Sequence, residues 1–190
     1  EVNGVPGVSF CMNMPGAVRV SVVGDFNNWD GRVNPMRRID YTDIYELFIP
    51  GDLADTRYKF EALYRDGNID IFADPYAVAY EVAPGNASIL TEFSAPVKLE
   101  YKWSDAAYMN SRKNTGAVNI YEVHMPTWKS IADEGRLTYA EFGKDIAAYA
   151  KNMGYNYIQF MPLMEYGDDN GWGYDTVGMF APTSRYGTPV

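Results

Sequence analysis

Cysteine and histidine, the usual ligands of structural zinc, are nearly absent from this chain. Its 190 residues contain a single cysteine, Cys11, and a single histidine, His124. One cysteine excludes a disulfide bond within the chain, and the pair falls short of the four ligands of a structural Cys/His zinc site. The sequence therefore predicts no metal ion and no cofactor. Cys11 lies in an apolar run, residues 8–12, so we expect its thiol to be buried.

Basic residues are also scarce, because 16 Lys and Arg stand against 25 Asp and Glu, for a formal net charge of −9 at pH 7. Nucleic-acid binding depends largely on clustered Lys and Arg, so this balance argues against a nucleic-acid partner. The sequence has no apolar run of membrane-spanning length and does not open with a signal-peptide pattern. We therefore expect no membrane partner and a cytoplasmic location.

The first half of the chain alternates short apolar runs with turns rich in Gly, Pro, Asn and Asp. The alternation predicts strands at residues 8–12, 18–23, 44–49, 57–64, 69–73 and 88–93. A dense turn segment, residues 24–31, follows the second of them. This spacing predicts an immunoglobulin-like β-sandwich over residues 1–95. The polar stretch that follows, residues 96–117, is predicted to be a linker.

After residue 117 the pattern changes to strand, helix, strand. Thr138 and Glu141 form a capping-box sequence, and Gly154 stands where a helix would end. Strands at residues 118–125 and 157–161 would flank this helix in a parallel β-α-β unit. Because parallel sheets are covered on both faces, residues 118–190 are predicted to be the first portion of a TIM (β/α)8 barrel, truncated. The apolar helical face is predicted to be Phe142, Ile146, Tyr149 and Met153.

An aromatic loop follows the second predicted strand, in a Gly-Trp-Gly-Tyr run at residues 171–174. Loops after barrel strands lie on the active-site face. Aromatic faces stack on the apolar faces of pyranose rings, so Trp172 and Tyr174 are candidate sugar-binding residues. The alternative interpretation is that both rings simply pack the loop.

These motifs carry a family resemblance. The runs Ile-Tyr-Glu-Val-His at residues 120–124, Gly-Trp-Gly-Tyr at 171–174 and Ala-Pro-Thr-Ser-Arg-Tyr-Gly-Thr at 181–188 resemble the opening of the catalytic barrel of α-amylase-type enzymes. The chain most resembles bacterial 1,4-α-glucan (glycogen) branching enzymes. The resemblance implies that Tyr174 stacks against the glucose next to the scissile bond, and that the substrate is an α-glucan such as glycogen or amylose.

The resemblance also implies a retaining mechanism, in which one carboxylate attacks the anomeric carbon and a second protonates the leaving oxygen. The family carries these carboxylates on later barrel strands, so no catalytic residue is predicted here. The 190 residues are expected to be an inactive N-terminal fragment. The remainder of the barrel, or another copy of the chain, would cover the exposed sheet edge.

The turn segment at residues 24–31 resembles the signature loop of the glycogen-binding module that precedes the barrel in these enzymes. In stand-alone relatives the Trp of this loop and a Lys contact sugar, and Trp29 and Lys59 match those positions. Their second sugar-binding Trp falls near Ile69 and has no match here. Trp29 could equally be a core or interdomain plug.

Other carboxylates offer alternatives. Glu165, Asp168 and Asp169 could replace the missing acids, but the loop offers no apolar setting that would raise a pKa, so we interpret them as solvated charges. Glu122 and His124 share a strand face and are interpreted as structural. Two rival functions remain open: a debranching enzyme of isoamylase or pullulanase type or a trehalose-releasing hydrolase, and a non-enzymatic glucan-binding protein.

Overall fold

The computed structural model describes residues 1–91, 102–112, 116–129 and 135–189. In chain order its first seven strands are β1 (Gly7–Asn13), β2 (Ala17–Gly24), β3 (Arg37–Arg38), β4 (Ile44–Pro50), β5 (Arg57–Tyr64), β6 (Ile69–Phe72) and β7 (Ser88–Ile89). They form two antiparallel sheets, β1-β4-β3 and β2-β5-β6, and β7 pairs with the start of β5. The predicted β-sandwich is confirmed, and β3 is an addition that the sequence pattern did not indicate.

The core of the sandwich lies between these two sheets. Along β5 the side chains alternate, so that Tyr58, Phe60 and Ala62 enter the core while Lys59 and Glu61 take the other face. The Phe60 ring is 1% exposed and meets the ring of Phe10 on β1 edge to face at 6.4 Å. Burial of these aromatic rings supplies much of the apolar area that stabilises the two sheets.

Cys11 corrects the prediction of a buried thiol. It lies on β1 between Phe10 and Met12, which are both buried, and its own side chain is exposed. The period of two along a strand explains the result, because neighbours of inward residues point outward even within an apolar run.

The remaining elements are α1 (Ala106–Ser111), β8 (Ile120–Val123), α2 (Tyr139–Met153), β9 (Tyr157–Phe160), β10 (Met164–Tyr166) and β11 (Thr176–Pro182). Strands β8 and β9 pair in parallel, with α2 between them in sequence, so the predicted β-α-β unit is confirmed. Strands β10 and β11 form an antiparallel hairpin that the sequence pattern did not predict. Within the described residues, no helix is long and apolar enough to cross a membrane.

The predicted linker, residues 96–117, contains the short helix α1. Residues 92–101 and 113–115 lie outside the described residues, and so do the predicted boundary at residue 95 and the end of the predicted strand 88–93. The division into domains therefore stays a prediction.

The helix α2 begins and ends as its sequence predicts. The Thr138 hydroxyl accepts a hydrogen bond from the Glu141 backbone N–H at 3.3 Å, and the Glu141 carboxylate accepts one from the Thr138 N–H at 2.9 Å. Gly154 ends the helix in the left-handed region, at φ 82°. These bonds satisfy N–H groups that the first turn leaves without a partner.

The buried face of α2 differs from the prediction. Phe142, Ile146 and Ala150 are buried, whereas Tyr149 is 38% and Met153 57% exposed. These three buried residues are four positions apart in the sequence, so they form a narrow stripe along the helix. A two-stranded sheet covers only such a stripe. Tyr149 packs at its margin, with its ring 5.3 Å from that of Tyr121 and 4.9 Å from that of Trp128, and Met153 stays open.

We predict that Thr138→Ala lowers the free energy of unfolding by about 1 kcal/mol, because it removes the acceptor of the capping box. Thr188→Ala is the matched control, since Thr188 is exposed and lies outside the regular elements. Urea denaturation of both variants measures the difference. Equal midpoints for the two variants would contradict a stabilising role of the cap.

Candidate functional site

The loop that carries Trp172 and Tyr174 is the tip of the β10–β11 hairpin. It is closed where the Gly167 N–H donates to the Asp175 carbonyl at 3.0 Å. Trp172 and Gly173 both take positive φ, 57° and 84°, which reverses the chain sharply. A Cβ at Gly173 would lie 2.8 Å from the Pro162 carbonyl oxygen, so this position requires glycine for space as well as for conformation.

One face of Trp172 is covered by the imidazole of His124. The two rings are stacked with centroids 5.1 Å apart and planes at 22°. His124 follows β8, and its Nδ1 lies 2.9 Å from the Thr127 hydroxyl. Partial burial lowers the pKa of His124, which favours the neutral ring. The stack ties the tip of the hairpin to the carboxyl end of β8, which supports the structural interpretation of His124.

Tyr174 is the more open of the two predicted sugar-binding rings in this loop. It is 66% exposed, against 57% for Trp172. In the part of the chain that the structure describes, the Tyr174 hydroxyl makes no side-chain hydrogen bond, so the ring is held by its backbone. Its N–H donates to the Gly171 carbonyl at 3.0 Å. The arrangement offers a flat apolar surface to a ligand.

Trp29 lies on the surface of the sandwich and is not a core plug. It is 38% exposed, and its indole N–H donates to Asp25 at 3.2 Å. Arg57 donates to the same carboxylate at 2.9 Å and to Glu81 at 3.1 Å. The hydrogen bond from Arg57 lowers the pKa of Asp25, so this carboxylate stays charged at neutral pH.

Lys59 lies on the same outward face of β5 as Arg57, two residues along the strand. Its ammonium donates to the Asn86 side chain at 2.6 Å. Lys59 lines a cleft of about 520 Å³, together with Glu81 and with Tyr166 and Arg185 of the second half of the chain. The structure therefore places Lys59 beside the base of the hairpin, whereas Trp29, Trp172 and Tyr174 do not line this cleft.

Glu165 corrects the prediction of a solvated loop charge. It lies on β10, is 3% exposed and pairs with Arg185 at 2.6 Å. The hydroxyl groups of Thr183 and Ser184 donate to it at 2.9 and 2.8 Å, and the Ser184 N–H donates at 2.7 Å. A carboxylate whose oxygens are all engaged by fixed donors serves structure and is not free to act as an acid or a nucleophile.

Asp168 and Asp169 remain at the surface of the loop. The Asp168 carboxylate accepts from the Asn170 N–H at 2.9 Å and so shapes the turn. Asp169 bridges Arg136 at 2.9 Å and Arg185 at 2.7 Å, and the hydrogen bond from Arg136 lowers its pKa. Across the described ranges, no group of three or more His, Cys, Asp and Glu side chains could hold a metal ion.

We predict that Glu165→Gln lowers the free energy of unfolding by about 3 kcal/mol, because it removes the buried carboxylate partner of Arg185 and leaves only the half-exposed Asp169. Glu46→Gln is the matched control, since Glu46 pairs with Arg37 at the surface, where such a pair contributes about 1 kcal/mol or less. Urea denaturation compares the two variants. Similar losses for both would show that the Glu165 pair contributes no more than a surface contact.

Comparison with known proteins agrees with the motifs. Residues 1–77 match the family model of carbohydrate-binding module 48, the isoamylase N-terminal domain. The chain is 43% identical to the 1,4-alpha-glucan branching enzyme of Paraburkholderia xenovorans, over 100% of this chain and 26% of that protein. It is 44% identical to the enzyme of that name from Nitrosospira multiformis, over 99% of this chain and 25% of that protein.

Two solved structures show the same fold. A pullulanase from Anoxybacillus sp. superposes with a TM-score of 0.65 at 17% identity, covering 98% of this chain and 30% of that one. A pullulanase from Bacillus acidopullulyticus gives 0.62 at 20% identity, over 98% and 26%. The chain spans about a quarter of the length of the curated relatives it matches. The resemblance predicted from the motifs is confirmed: over its whole length this chain is similar to 1,4-α-glucan branching enzymes.

Proposed function

We propose that this chain is part of a 1,4-α-glucan branching enzyme, which cleaves an α-1,4-glucan and transfers the chain to a 6-hydroxyl to make an α-1,6 branch. The observation that carries the proposal is the 43% identity to such an enzyme over 100% of the chain, which includes both the sandwich and the hairpin. A place in glycogen biosynthesis and a cytoplasmic location belong to the same proposal.

Tyr174 is the residue that we propose to contact the substrate most directly. Its ring is 66% exposed at the tip of the hairpin that follows β9, where it can stack on the apolar face of a glucose unit. Trp172 borders the same sugar with the face that His124 leaves uncovered, and it holds the turn in place. The net charge of −9 does not oppose this contact, because a glucan is neutral.

The catalytic carboxylates of the proposed reaction lie elsewhere in the parent protein. Glu165 is fully engaged by Arg185, Thr183 and Ser184, and Asp169 bridges two arginines. A retaining glycosyl transfer requires one free carboxylate nucleophile and one protonated acid. Neither Glu165 nor Asp169 meets either requirement, so we propose that the 190-residue chain alone does not catalyse branching.

The exposed apolar edge of β8 and β9 supports a place within a larger (β/α)8 barrel. Among the described residues β8 and β9 pair only with each other, and Ile120 is 50% and Tyr157 43% exposed on the face turned away from α2. Parallel strands normally lie in sheets that are covered on both faces. We propose that further strands and helices of the parent protein cover this edge; a second copy of the chain is the alternative.

A debranching activity is the rival within the same fold. The two pullulanases share the fold at 17% and 20% identity, and the branching enzymes are similar at more than 40% over the whole chain. The sequence similarity therefore favours branching. Glucan binding by the sandwich, with Trp29 and Lys59 as contacts, is a separate part of the proposal and is compatible with either activity.

We predict that Tyr174→Ala lowers kcat/KM of the parent protein on amylose about tenfold, because a stacking ring is lost. Tyr174→Phe keeps the ring and should stay near the wild-type value. New α-1,6 linkages are counted as chain ends released by a debranching enzyme, with the 190-residue chain as the inactive control. If the parent protein removes α-1,6 linkages from glycogen instead, the branching assignment is wrong.

We predict that Trp29→Ala and Lys59→Ala each reduce the fraction of this chain that sediments with glycogen. Tyr41→Ala is the matched control, since Tyr41 is a fully exposed aromatic residue that is not one of the proposed glucan contacts. If all three variants sediment with glycogen as the wild type does, or if the wild type does not sediment, the sandwich has a purely structural role.

A further inference from the structure

A short segment of the first half of the chain, residues 73–81, packs directly against strand β11; we call it the docking segment. Tyr80 is 3% and Ala77 6% exposed, and they form one apolar cluster with Ala181 of β11, which is 2% exposed. The Tyr76 ring stacks on the Phe180 ring at 5.5 Å. The docking segment thus connects the sandwich to the strand that leads away from the tip of the hairpin.

The tightest contact of the docking segment is that of Tyr80 with Gly178. A Cβ at Gly178 would lie 2.8 Å from Cζ of Tyr80 and 2.9 Å from its hydroxyl oxygen, and closer still to Cε2. The φ angle of Gly178 is not in the left-handed region, so its lack of a side chain serves space and not conformation. The ring of Tyr80 therefore lies directly on the backbone of β11.

The orientation of the Tyr80 ring is itself fixed. Its hydroxyl donates to the Asp74 carbonyl, which belongs to the same docking segment. Burial raises the pKa of Tyr80 to about 12, so the hydroxyl remains a donor throughout the neutral range. A buried ring with a bonded hydroxyl has little freedom to move away from Gly178.

Gly178 lies close to the groups that hold the base of the hairpin in place. In the β10–β11 register it stands opposite Glu165, whose carboxylate pairs with Arg185. The single proton of the Ser184 hydroxyl is shared between the Glu165 carboxylate at 2.8 Å and the Glu81 carbonyl of the docking segment at 3.3 Å. The base of the hairpin is thus held by Tyr80 and by the Glu165 cluster, while its tip is held by His124.

We propose that Tyr80 is a positioning residue for the Tyr174 hairpin: by packing on Gly178 it sets where β11 lies, and hence where the tip presents its ring to the glucan. The consequence for substrate rests on the proposed function. The sandwich then supports the substrate-binding loop, and it can do so without contacting sugar itself.

The test is a mutant cycle at the contact. Gly178→Ala places a methyl group against the Tyr80 ring, and Tyr80→Ala removes the ring, so each single change should displace the hairpin. In the double variant the methyl group enters the space that the ring leaves, and the two effects should partly cancel. Tyr80→Phe keeps the ring on Gly178 and loses only the hydrogen bond to the Asp74 carbonyl, so its effect should be smaller than that of Tyr80→Ala. Gly143→Ala is the matched control, because a Cβ there meets nothing within 4 Å.

Two readouts separate the inference from the proposed function. In this chain, amide hydrogen exchange of residues 167–175 should accelerate at least about fivefold in both single variants and recover in the double variant. In the parent protein, KM for amylose should rise about tenfold with kcat little changed, because the reacting groups are untouched.

Additive effects in the cycle, or wild-type exchange of residues 167–175 in both single variants, would overturn the inference. If exchange responds as expected and the parent protein does not branch amylose, the proposed function fails while the positioning role stands. If the wild-type parent protein branches amylose and neither KM nor exchange responds, the positioning role fails alone. If a single variant does not fold, the inference is still tested, because the double variant is then expected to fold. A double variant that stays unfolded would overturn the inference.

Discussion

The buried ion pair between Glu165 and Arg185 is the interaction on which the second half of the chain depends. Charged groups leave water at a large free-energy cost unless they are paired and hydrogen-bonded. Both side chains are almost fully buried, and Glu165 also accepts bonds from Thr183 and Ser184. Because these partners come from β10 and from the turn after β11, the pair holds the two ends of the hairpin together. Ser184 extends the network to the Glu81 carbonyl and so to the sandwich.

A rigid base explains how an exposed ring can be placed accurately. Tyr174 has little side-chain packing of its own, so its position depends on the backbone of the loop. That backbone is set by the left-handed turn at Trp172 and Gly173, by the stack on His124 and by the base of the hairpin. The sugar-binding surface that we propose therefore draws its order from buried polar groups and from glycine positions.

Local patterns in the sequence were sufficient for much of the fold. The alternation along β5 and the capping box of α2 involve neighbours within a few residues, and both elements formed as expected. The sequence does not predict the hairpin, because β10 is three residues long and its pairing with β11 is irregular, which leaves no periodic signal. The sequence predicts Glu165 at the surface because its partner, Arg185, is distant in the chain. The sequence indicated Trp172 and Tyr174 as candidate site residues, but not the ring that covers Trp172.

The contact of Tyr80 with Gly178 also limits how this chain can diverge. A lineage that gains any side chain at Gly178 must first make room by shrinking the residue at position 80, since the ring and a methyl group cannot share the space. Shrinking that residue first leaves a void in the apolar cluster around Ala77 and Ala181, and the reverse order creates the clash. Change at this junction therefore proceeds through compensated pairs, which keeps two segments that are far apart in the chain under one common constraint.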